Sequence, residues 1–309
     1  MSFFKPKFWD KNQISFFALI LFPISLIIRL LSLFKYSITK TNQCSIPVIC
    51  VGNIYLGGTG KTPLCIEVFL ILKNLNLNPV FIRKKYNAFQ DEFDLQKKIG
   101  PIYQNKKRIE AVKNAIKNNA DVAILDDGFQ DFSISKNFSI VCFNEKQWIG
   151  NGLTIPSGPL RENISALKRS NCVIINGEPN QKIENKIFNE TKDIKIFYSK
   201  YIAQDINSFK NKKVIAFAGI GNPENFFSLL KENAINVLSE IKFPDHYKYS
   251  QNELKNLINK AKENDAILIT TEKDYVRIDE SYKEKIQYLK IIVEIKNKEE
   301  FINEIKKIL

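Results

Sequence analysis

The sequence feature that most constrains the fold is a glycine-rich loop between an apolar run and a helix-like stretch. Residues 47–51 read PVICV, which is typical of a buried parallel strand. The loop at 52–63 reads GNIYLGGTGKTP, and the apolar stretch 64–75 follows it. A strand, a glycine loop and a helix in this order form the context of a phosphate-binding P-loop. The segment therefore predicts an α/β fold with a nucleotide site.

The residue types in this loop suit the chemistry of phosphate binding. Glycines allow backbone N–H groups to curl around phosphate oxygens, and the new helix offers its positive end. Lys61 can reach the β- and γ-phosphates, and the Thr62 hydroxyl can ligate Mg²⁺. We expect ATP and Mg²⁺ as cofactors, held by Gly57, Gly58, Thr59, Gly60, Lys61, Thr62 and Pro63. The chain departs from the strict pattern at Tyr55, where that pattern has glycine.

Two carboxylates follow another buried-strand pattern. Residues 121–125 read DVAIL, and Asp126 and Asp127 come directly after them. Ligands of doubly wound sheets bind at the carboxyl ends of strands, so a carboxylate here would hold Mg²⁺ directly or through water. Asp126, Asp127 and Thr62 are therefore the candidate metal ligands. Alone, Asp-Asp-Gly would fit a solvated turn equally well, but its position after a P-loop strand favours a metal site.

The order of the patterns predicts the domain organisation. Strands at 47–51, 79–83, 121–125 and 138–143 alternate with helical stretches such as 63–75 and 106–118, which indicates a parallel α/β sheet. Further strands at 214–218, 267–270 and 291–293 suggest a smaller second α/β domain. We predict an N-terminal membrane helix with its flanks at 1–40, a P-loop domain at 41–178, a polar linker at 179–210 and the second domain at 211–309.

The N-terminal segment is apolar enough to associate with a membrane. Residues 14–34 read ISFFALILFPISLIIRLLSLF, close to the length that a helix needs to cross a bilayer. Pro23 and Arg29 weaken a spanning interpretation, and basic residues flank the segment on both sides, so a helix lying in the interface fits as well. A cleaved signal peptide is disfavoured because no small-x-small site follows.

Charge and composition exclude several function classes. Lys and Arg number 46 against 33 Asp and Glu, which leaves a net charge of +13 and suggests an anionic partner. The sequence has no Arg-rich tract, aromatic-interleaved basic motif or zinc finger, so we expect no nucleic acid. A single His cannot build a His-rich metal site. Five scattered Cys without a CxxC pattern predict buried thiols rather than a disulfide framework or a zinc ribbon.

Several motifs in the same order resemble the tetraacyldisaccharide 4′-kinases, the lipid A kinases of the Gram-negative envelope. The P-loop at 52–63 and LDDGFQ at 125–130 carry the resemblance first. An apolar N-terminal helix is also a family feature. The remaining matches are GPLRE at 158–162, FPDHY at 243–247 and TTEKD at 270–274. The resemblance runs from about residue 14 to 278, and the joint order makes it specific.

The resemblance implies a reaction and a location. The family transfers the γ-phosphate of ATP to the 4′-hydroxyl of a membrane-embedded, acylated glucosamine disaccharide 1-phosphate in lipid A biosynthesis. We therefore expect a kinase at the cytoplasmic face of the inner membrane, anchored or spanning through its N-terminal helix. A cleft between the two domains would hold ATP and sugar. The expected partners are the lipid substrate and the membrane surface, with no obligate protein partner inferred.

The resemblance also implies catalytic residues. The family's acidic pair falls on Asp91 and Glu92, and its histidine on His246. One of Asp91 and His246 would take the proton as the hydroxyl attacks, and the sequence leaves open which one does. Lys61 and Asp127 complete the catalytic set. The chain departs from the family at 83–86, which reads RKKY instead of an R-G-Y type, and at Asp131, where the family has histidine.

Other assignments remain open at this level. Arg108 and Arg161 are candidates for contacting phosphate on ATP or substrate, with Glu92 as a further substrate candidate. Ordinary surface salt bridging would explain the two arginines equally well. The main alternative function is a membrane-recruited P-loop ATPase that switches partners. A basic scaffold at the membrane surface is a third interpretation.

Overall fold

The structure is a computed structural model that describes residues 5–11, 13–85 and 90–309 of the chain. The described residues divide into two compact units. The P-loop unit contains residues 5–85, 99–200 and 293–309. The His246 unit contains residues 90–98 and 201–292.

The described part of the chain forms two sheets. The strands are β1 Val48–Gly52, β2 Pro79–Lys84, β3 Ile102–Asn105, β4 Val122–Asp126, β5 Phe138–Asn144, β6 Cys172–Asn176, β7 Lys195–Ala203, β8 Lys213–Ala218, β9 Asn236–Lys242, β10 Ile267–Thr271, β11 Gln287–Leu289 and β12 Ile291–Ile295. The larger sheet has the order β12-β7-β6-β5-β1-β4-β2-β3, and the smaller sheet has the order β11-β10-β8-β9.

The α-helices of the described residues surround these sheets. They are α1 Phe16–Ile38, α2 Lys61–Asn74, α3 Gln90–Lys97, α4 Arg108–Lys117, α5 Gln181–Glu190, α6 Pro223–Glu232, α7 Gln251–Glu263, α8 Glu272–Val276, α9 Glu280–Lys283 and α10 Lys298–Lys306. The mixed α/β class with its parallel sheet confirms the predicted fold class.

The centre of the larger sheet places the P-loop. β1 pairs in parallel with β4 on one side and β5 on the other, and every residue of these three strands is buried. Parallel strands buried on both faces need continuous apolar runs, which is the pattern that predicted them. Because β1 and β4 are adjacent and parallel, the loops after them lie at the same edge of the sheet.

The His246 unit is a smaller parallel sheet. β8 pairs in parallel with both β9 and β10, and β10 pairs in parallel with β11. Helix α3 belongs to this unit and contacts α8, although it lies between β2 and β3 in sequence. The first turn of α3, which carries Asp91 and Glu92, is thereby brought to the loops of the smaller sheet.

The unit boundaries differ from the predicted ones. The stretch 179–210, predicted to be a polar linker, contains α5 and the nine-residue strand β7. Its Lys/Asn-rich composition reflects exposed faces, because β7 pairs in parallel with β6 while many of its side chains remain accessible. A polar composition therefore does not identify a linker where the strand lies near a sheet edge.

The C-terminal end also departs from the prediction. The strand predicted at 291–293 was assigned to the second domain, but β12 is the edge strand of the larger sheet. Helix α10 follows it into the P-loop unit, where Phe301 packs against Phe197 of β7 with ring centroids 5.3 Å apart. A short apolar run does not indicate which of two sheets it joins. Tertiary packing therefore decides that β12 belongs to the larger sheet.

Helix α1 is the long apolar helix predicted near the N-terminus. Ser15 caps it, and Pro23 lies inside it. Of its 23 residues, all described, only Ala18 and Ser25 are buried. Ser25 hydrogen-bonds to the Ser157 hydroxyl at 2.8 Å and to the Thr154 carbonyl at 3.0 Å. Among the described residues this is the one helix long and apolar enough to cross a membrane.

Candidate active site

The phosphate loop lies between β1 and α2, as predicted. Gly57 has φ of 144° and Gly60 has φ of 88°, both in the region that favours glycine. Gly60 is the residue immediately before α2, so the backbone turns sharply into the helix at this point. The helix begins at Lys61 and presents its N-terminal N–H groups next to the loop. This geometry suits a bound polyphosphate.

The side-chain amide of Asn53 holds the loop together. Asn53 is fully buried, and its Nδ2 donates to the Tyr55 carbonyl at 2.6 Å and to Thr59 Oγ1 at 2.9 Å. Gln130 Nε2 in turn donates to the Asn53 carbonyl at 2.9 Å. Neither Asn53 nor Gln130 has a role predicted from the sequence, although both lie inside the quoted motifs. Their amides connect the P-loop to the loop after β4.

Asp127 is the carboxylate beside the P-loop lysine. Its Oδ1 lies 3.9 Å from Lys61 Nζ. Arg161 Nη1 donates to both carboxylate oxygens, at 2.8 and 2.9 Å. Burial raises the pKa of Asp127, but the charges of Lys61 and Arg161 outweigh it and lower that pKa below its ordinary value. The structure therefore brings together three of the predicted residues around an ionised carboxylate.

Asp126 is paired with a different cation. Its side chain is only 1% exposed, and its Oδ2 lies 3.2 Å from Arg83 Nη1. Asp127 follows the last residue of β4 and has φ of 53°, so the two carboxylates need not follow the alternation of an extended strand. The structure pairs Asp127 with Lys61 and Arg161, and it pairs Asp126 with Arg83. Both carboxylates stay candidate metal ligands.

Arg108 also differs from its predicted role. Its Nη2 donates to the backbone carbonyls of Asp126 and Asp127 at 3.1 and 2.9 Å, and its Nη1 lies 3.0 Å from Asp131 Oδ2. The arginine is 6% exposed. Its guanidinium therefore holds the loop after β4, and the structure does not present it to a phosphate.

The Arg108 contact also sets the charge of Asp131. Burial raises the pKa of this carboxyl, but the hydrogen bonds from Ser133 and the charge of Arg108 lower it by more, so its pKa lies below the ordinary value. Asp131 accepts from the Ser133 backbone N–H at 3.1 Å. The negative charge of Asp131 is thus compensated inside the loop.

The acidic residue and histidine implied by the resemblance meet in the His246 unit. Asp91 Oδ2 and His246 Nδ1 are 3.0 Å apart, although 155 residues separate them in sequence. The Asp91 side chain is 1% exposed, and the His246 side chain is 24% exposed. His246 has φ of 55°, and its backbone N–H donates to the Gly219 carbonyl at 3.1 Å. The Gly219 contact therefore holds the backbone of the turn that carries the imidazole.

Two cations that received no role from the sequence surround this pair. Lys273 Nζ lies 2.9 Å from Glu92 Oε1, 3.4 Å from His246 Nε2 and 3.9 Å from Asp91 Oδ2. Arg277 Nε lies 3.5 Å from Asp91 Oδ2. Lys273 belongs to the TTEKD motif, and Arg277 follows it by four residues, one helical turn later. This four-residue spacing is the sequence signal that could have indicated two cations on the same side of a helix.

The cations determine the charge state of the acidic group. Burial raises the pKa of Asp91, but the hydrogen bond from His246 and the charges of Lys273 and Arg277 lower it below its ordinary value. Burial lowers the pKa of Lys273, while Glu92, Asp245 and Asp91 raise it by more. Asp91 is therefore an anion and Lys273 a cation at neutral pH. A carboxylate at 3.0 Å favours the His246 tautomer with the proton on Nδ1.

A cavity of about 200 Å³ lies in the P-loop unit between α1 and the segment that carries Arg161. Its lining includes Leu33 of α1 and three arginines: Arg29, Arg161 and Arg169. Arg169 also stacks over the Phe129 ring at 4.8 Å. Arg161 therefore contacts Asp127 on one side and lines the cavity on the other.

The donor atoms near the P-loop suit magnesium. Thr62 and Asp127 supply a hydroxyl and a carboxylate, the hard oxygen ligands that Mg²⁺ prefers. Among the described residues, no group of three or more His, Cys, Asp or Glu side chains could hold a metal ion by itself. An ion bound here would complete its coordination with phosphate oxygens and water, which is the usual arrangement for Mg²⁺.

Comparison with known proteins places this chain in a family. The family model described as tetraacyldisaccharide-1-P 4′-kinase matches residues 17–97 and 90–309. A tetraacyldisaccharide 4′-kinase of Pelagibacter ubique (strain HTCC1062) is 43% identical over 307 residues, covering 98% of each chain. The enzyme of the same name from Rickettsia akari (strain Hartford) is 35% identical over 294 residues, covering 89% of this chain and 88% of the relative.

A solved structure agrees in fold. The crystal structure of LpxK from Aquifex aeolicus, described as an apo form in complex with ATP, has a TM-score of 0.73 and 23% sequence identity. The match covers 94% of this chain and 99% of that chain. The sequence resemblance is thereby confirmed over nearly the whole length, and the chain belongs to the tetraacyldisaccharide-1-P 4′-kinase family.

Proposed function

We propose that the chain transfers the γ-phosphate of ATP to the 4′-hydroxyl of the acylated glucosamine disaccharide 1-phosphate precursor of lipid A. Family membership and the P-loop support the phosphotransferase chemistry. The single observation that carries the proposal is the Asp91–His246 contact at 3.0 Å. A kinase needs a group that prepares an acceptor hydroxyl. A protein that only binds nucleotide phosphates does not need such a group.

The P-loop unit supplies the phosphate chemistry. Backbone N–H groups of residues 57–62 and the α2 N-terminus would hold the polyphosphate, with Lys61 neutralising the β- and γ-phosphates. Thr62 and Asp127 would hold Mg²⁺, which neutralises the charge that develops on the transferred group. Arg161, whose Nη1 now donates to both Asp127 oxygens, would offer its guanidinium to a phosphate that arrives beside it.

The His246 unit supplies the acceptor chemistry. Asp91 is the proposed base because it is ionised and because its Oδ1 has no hydrogen-bond partner among the described residues. His246 orients the carboxylate through the other oxygen, Oδ2. Lys273 Nζ lies 3.4 Å and Asp245 Oδ1 3.7 Å from the second imidazole nitrogen, Nε2. Glu92 remains a candidate substrate contact, held by Lys273.

The lipid substrate suggests where α1 functions. The exposed apolar side chains of α1 would associate with the inner membrane at its cytoplasmic face, as an anchor or a span. The cavity beside α1 combines apolar helix residues with Arg29, Arg161 and Arg169, which suits an anionic amphiphile. We propose that the acceptor enters along this side of the P-loop unit.

Label transfer tests the proposal directly. Purified protein in detergent is incubated with γ-labelled ATP, Mg²⁺ and the acylated disaccharide 1-phosphate, and the lipid fraction is counted. We expect label on the 4′-oxygen. A membrane-recruited ATPase switch would hydrolyse ATP without transferring label, and it would retain turnover in His246→Gln. Hydrolysis without transfer in the wild-type protein would refute the kinase function.

A further inference from the structure

Tyr55 has partners that link it to the N-terminal segment. Its side chain is fully buried, and its hydroxyl accepts a hydrogen bond from Lys5 Nζ at 2.6 Å and donates one to Asp10 Oδ1 at 2.7 Å. Lys5 Nζ and Asp10 Oδ1 form an ion pair at 2.5 Å. Burial and the neighbouring Asp10 carboxylate raise the pKa of Tyr55 well above its ordinary value, so the phenol keeps its proton.

The same tyrosine supports the phosphate loop. A Cβ atom built on Gly57 would lie 3.4 Å from Cε1 of the Tyr55 ring, so the ring lies against the first of the two adjacent glycines in the loop. The Tyr55 carbonyl accepts from Asn53 Nδ2, and the same Nδ2 also donates to Thr59 Oγ1. A displacement of Tyr55 would therefore be transmitted to the loop at both Gly57 and Thr59.

The partners of the Tyr55 hydroxyl belong to residues 5–10, a segment that precedes α1 and packs on the P-loop unit. Lys5 and Asp10 flank the 3₁₀ turn Lys7–Trp9, whose Trp9 is 3% exposed. Trp9 Nε1 donates to the Pro156 carbonyl at 3.0 Å, and the Trp9 carbonyl accepts from the Asn151 N–H at 2.8 Å. The segment is thus packed on the P-loop unit only five residues before Ser15, which caps α1.

We propose that Tyr55 is a positioning residue that couples the seating of residues 5–10 to the ATP affinity of the phosphate loop. The proposal rests on the proposed function, in which residues 57–62 bind ATP. The strict pattern has glycine at position 55, and glycine there would provide neither the ring nor the hydroxyl. In this chain, the state of the segment ahead of the apolar helix is therefore communicated to the nucleotide site.

Such a coupling is reciprocal. If a seated segment strengthens ATP binding by some factor, ATP must favour the seated segment by the same factor. Removal of the tyrosine hydroxyl leaves the ring in place but releases the loop from Lys5 and Asp10. We expect ATP affinity to fall on the order of fivefold, at the low end of typical coupling between sites.

Equilibrium binding of ATP to the full-length protein in detergent with Mg²⁺ tests the coupling. Tyr55→Phe and Asp10→Ala should each raise the Kd about fivefold, and the double variant should bind no more weakly than either single variant. In steady-state assays the KM for ATP should rise while kcat at saturating ATP stays near that of the wild type. Tyr198→Phe is the matched control, because the Tyr198 hydroxyl also donates to a carboxylate, Glu184, at 2.6 Å in the same unit.

A second readout follows the segment itself. The chain has two tryptophans, so Trp9 fluorescence can be isolated in a Trp148→Phe background. ATP should protect Trp9 from acrylamide quenching, and Tyr55→Phe should abolish that protection. If the wild-type protein binds ATP and Tyr55→Phe binds it with the same Kd, the coupling is overturned but the proposed function is not. Absence of ATP binding by the wild-type protein would overturn both the coupling and the proposed function.

Discussion

Asp91 Oδ2 accepts a hydrogen bond from His246 Nδ1 over 3.0 Å, at a point where the carboxylate is almost completely buried. Helix α3 carries the aspartate, and the turn after β9 carries the histidine. Burial alone would favour a neutral carboxylic acid, but the His246 imidazole and the charges of Lys273 and Arg277 keep Asp91 ionised. We propose that this pair accepts the proton of the acceptor alcohol.

Loss of the P-loop ammonium should nearly abolish transfer. Lys61→Ala is expected to lower kcat/KM on the order of 10²-fold or more, because a charge that stabilises the transferred phosphate is removed. Label transfer to the lipid measures the effect. Lys113→Ala, which removes an exposed lysine paired with Glu110, should leave the rate unchanged. A rate for Lys61→Ala within twofold of the wild type would exclude the assigned role.

The two members of the Asp91–His246 pair should differ in their effect on the rate. Asp91→Asn removes the proposed base, so we expect a loss on the order of 10³-fold, within the usual range for a general base. His246→Gln removes only the orienting group and should cost on the order of tenfold. Single-turnover label transfer distinguishes the two. A larger loss in His246→Gln would identify the imidazole as the base instead.

Protonation of Asp91 should make stability depend on pH. The folded-state pKa of Asp91 is lowered, so the ionised group stabilises the fold fully above its ordinary pKa, and that stabilisation is lost as pH falls through the lowered value. The difference in the free energy of unfolding between the wild type and Asp91→Asn should therefore shrink on acidification. Lys273→Met should move this decline to higher pH. Urea unfolding at a series of pH values measures both.

The Arg108–Asp131 pair should contribute to stability more than to ATP binding. Arg108→Met leaves Asp131 and two backbone carbonyls without their buried partner, so we expect a loss of about 3–5 kcal/mol in the free energy of unfolding. Urea unfolding measures it. Glu110→Gln, which breaks the exposed pair with Lys113, should cost less than about 1 kcal/mol. Equal effects of the two variants would contradict the structural role of Arg108.

Helix α1 should direct the protein to lipid. Leu30 and Leu31 are 65% and 62% exposed and do not line the cavity. The double variant Leu30→Asp/Leu31→Asp should lose binding to anionic phospholipid vesicles in a flotation assay, because two charges would enter the apolar phase. Phe188→Asp, at an exposed apolar position on α5, is the matched control and should float normally. Unimpaired flotation of the α1 variant would show that another surface binds lipid.

Local patterns were sufficient to predict much of this protein. The buried strands around the P-loop and the glycine loop itself were predicted within a residue or two, because apolar runs and glycine conformations are encoded in neighbouring residues. The order of short motifs was sufficient to identify the family. The family resemblance then implied that Asp91 and His246, which are 155 residues apart in sequence, act together.

Tertiary structure decided what local patterns cannot carry. It separated Asp127, beside Lys61, from Asp126, which is buried against Arg83. It also assigned Arg108 to the loop after β4, placed β12 in the larger sheet and brought Lys273 to His246. Each of these outcomes depends on which distant residue a side chain meets after the chain has folded. Residue type and spacing along the sequence specify what a side chain can do, whereas its partners, and therefore its charge and role, come from packing.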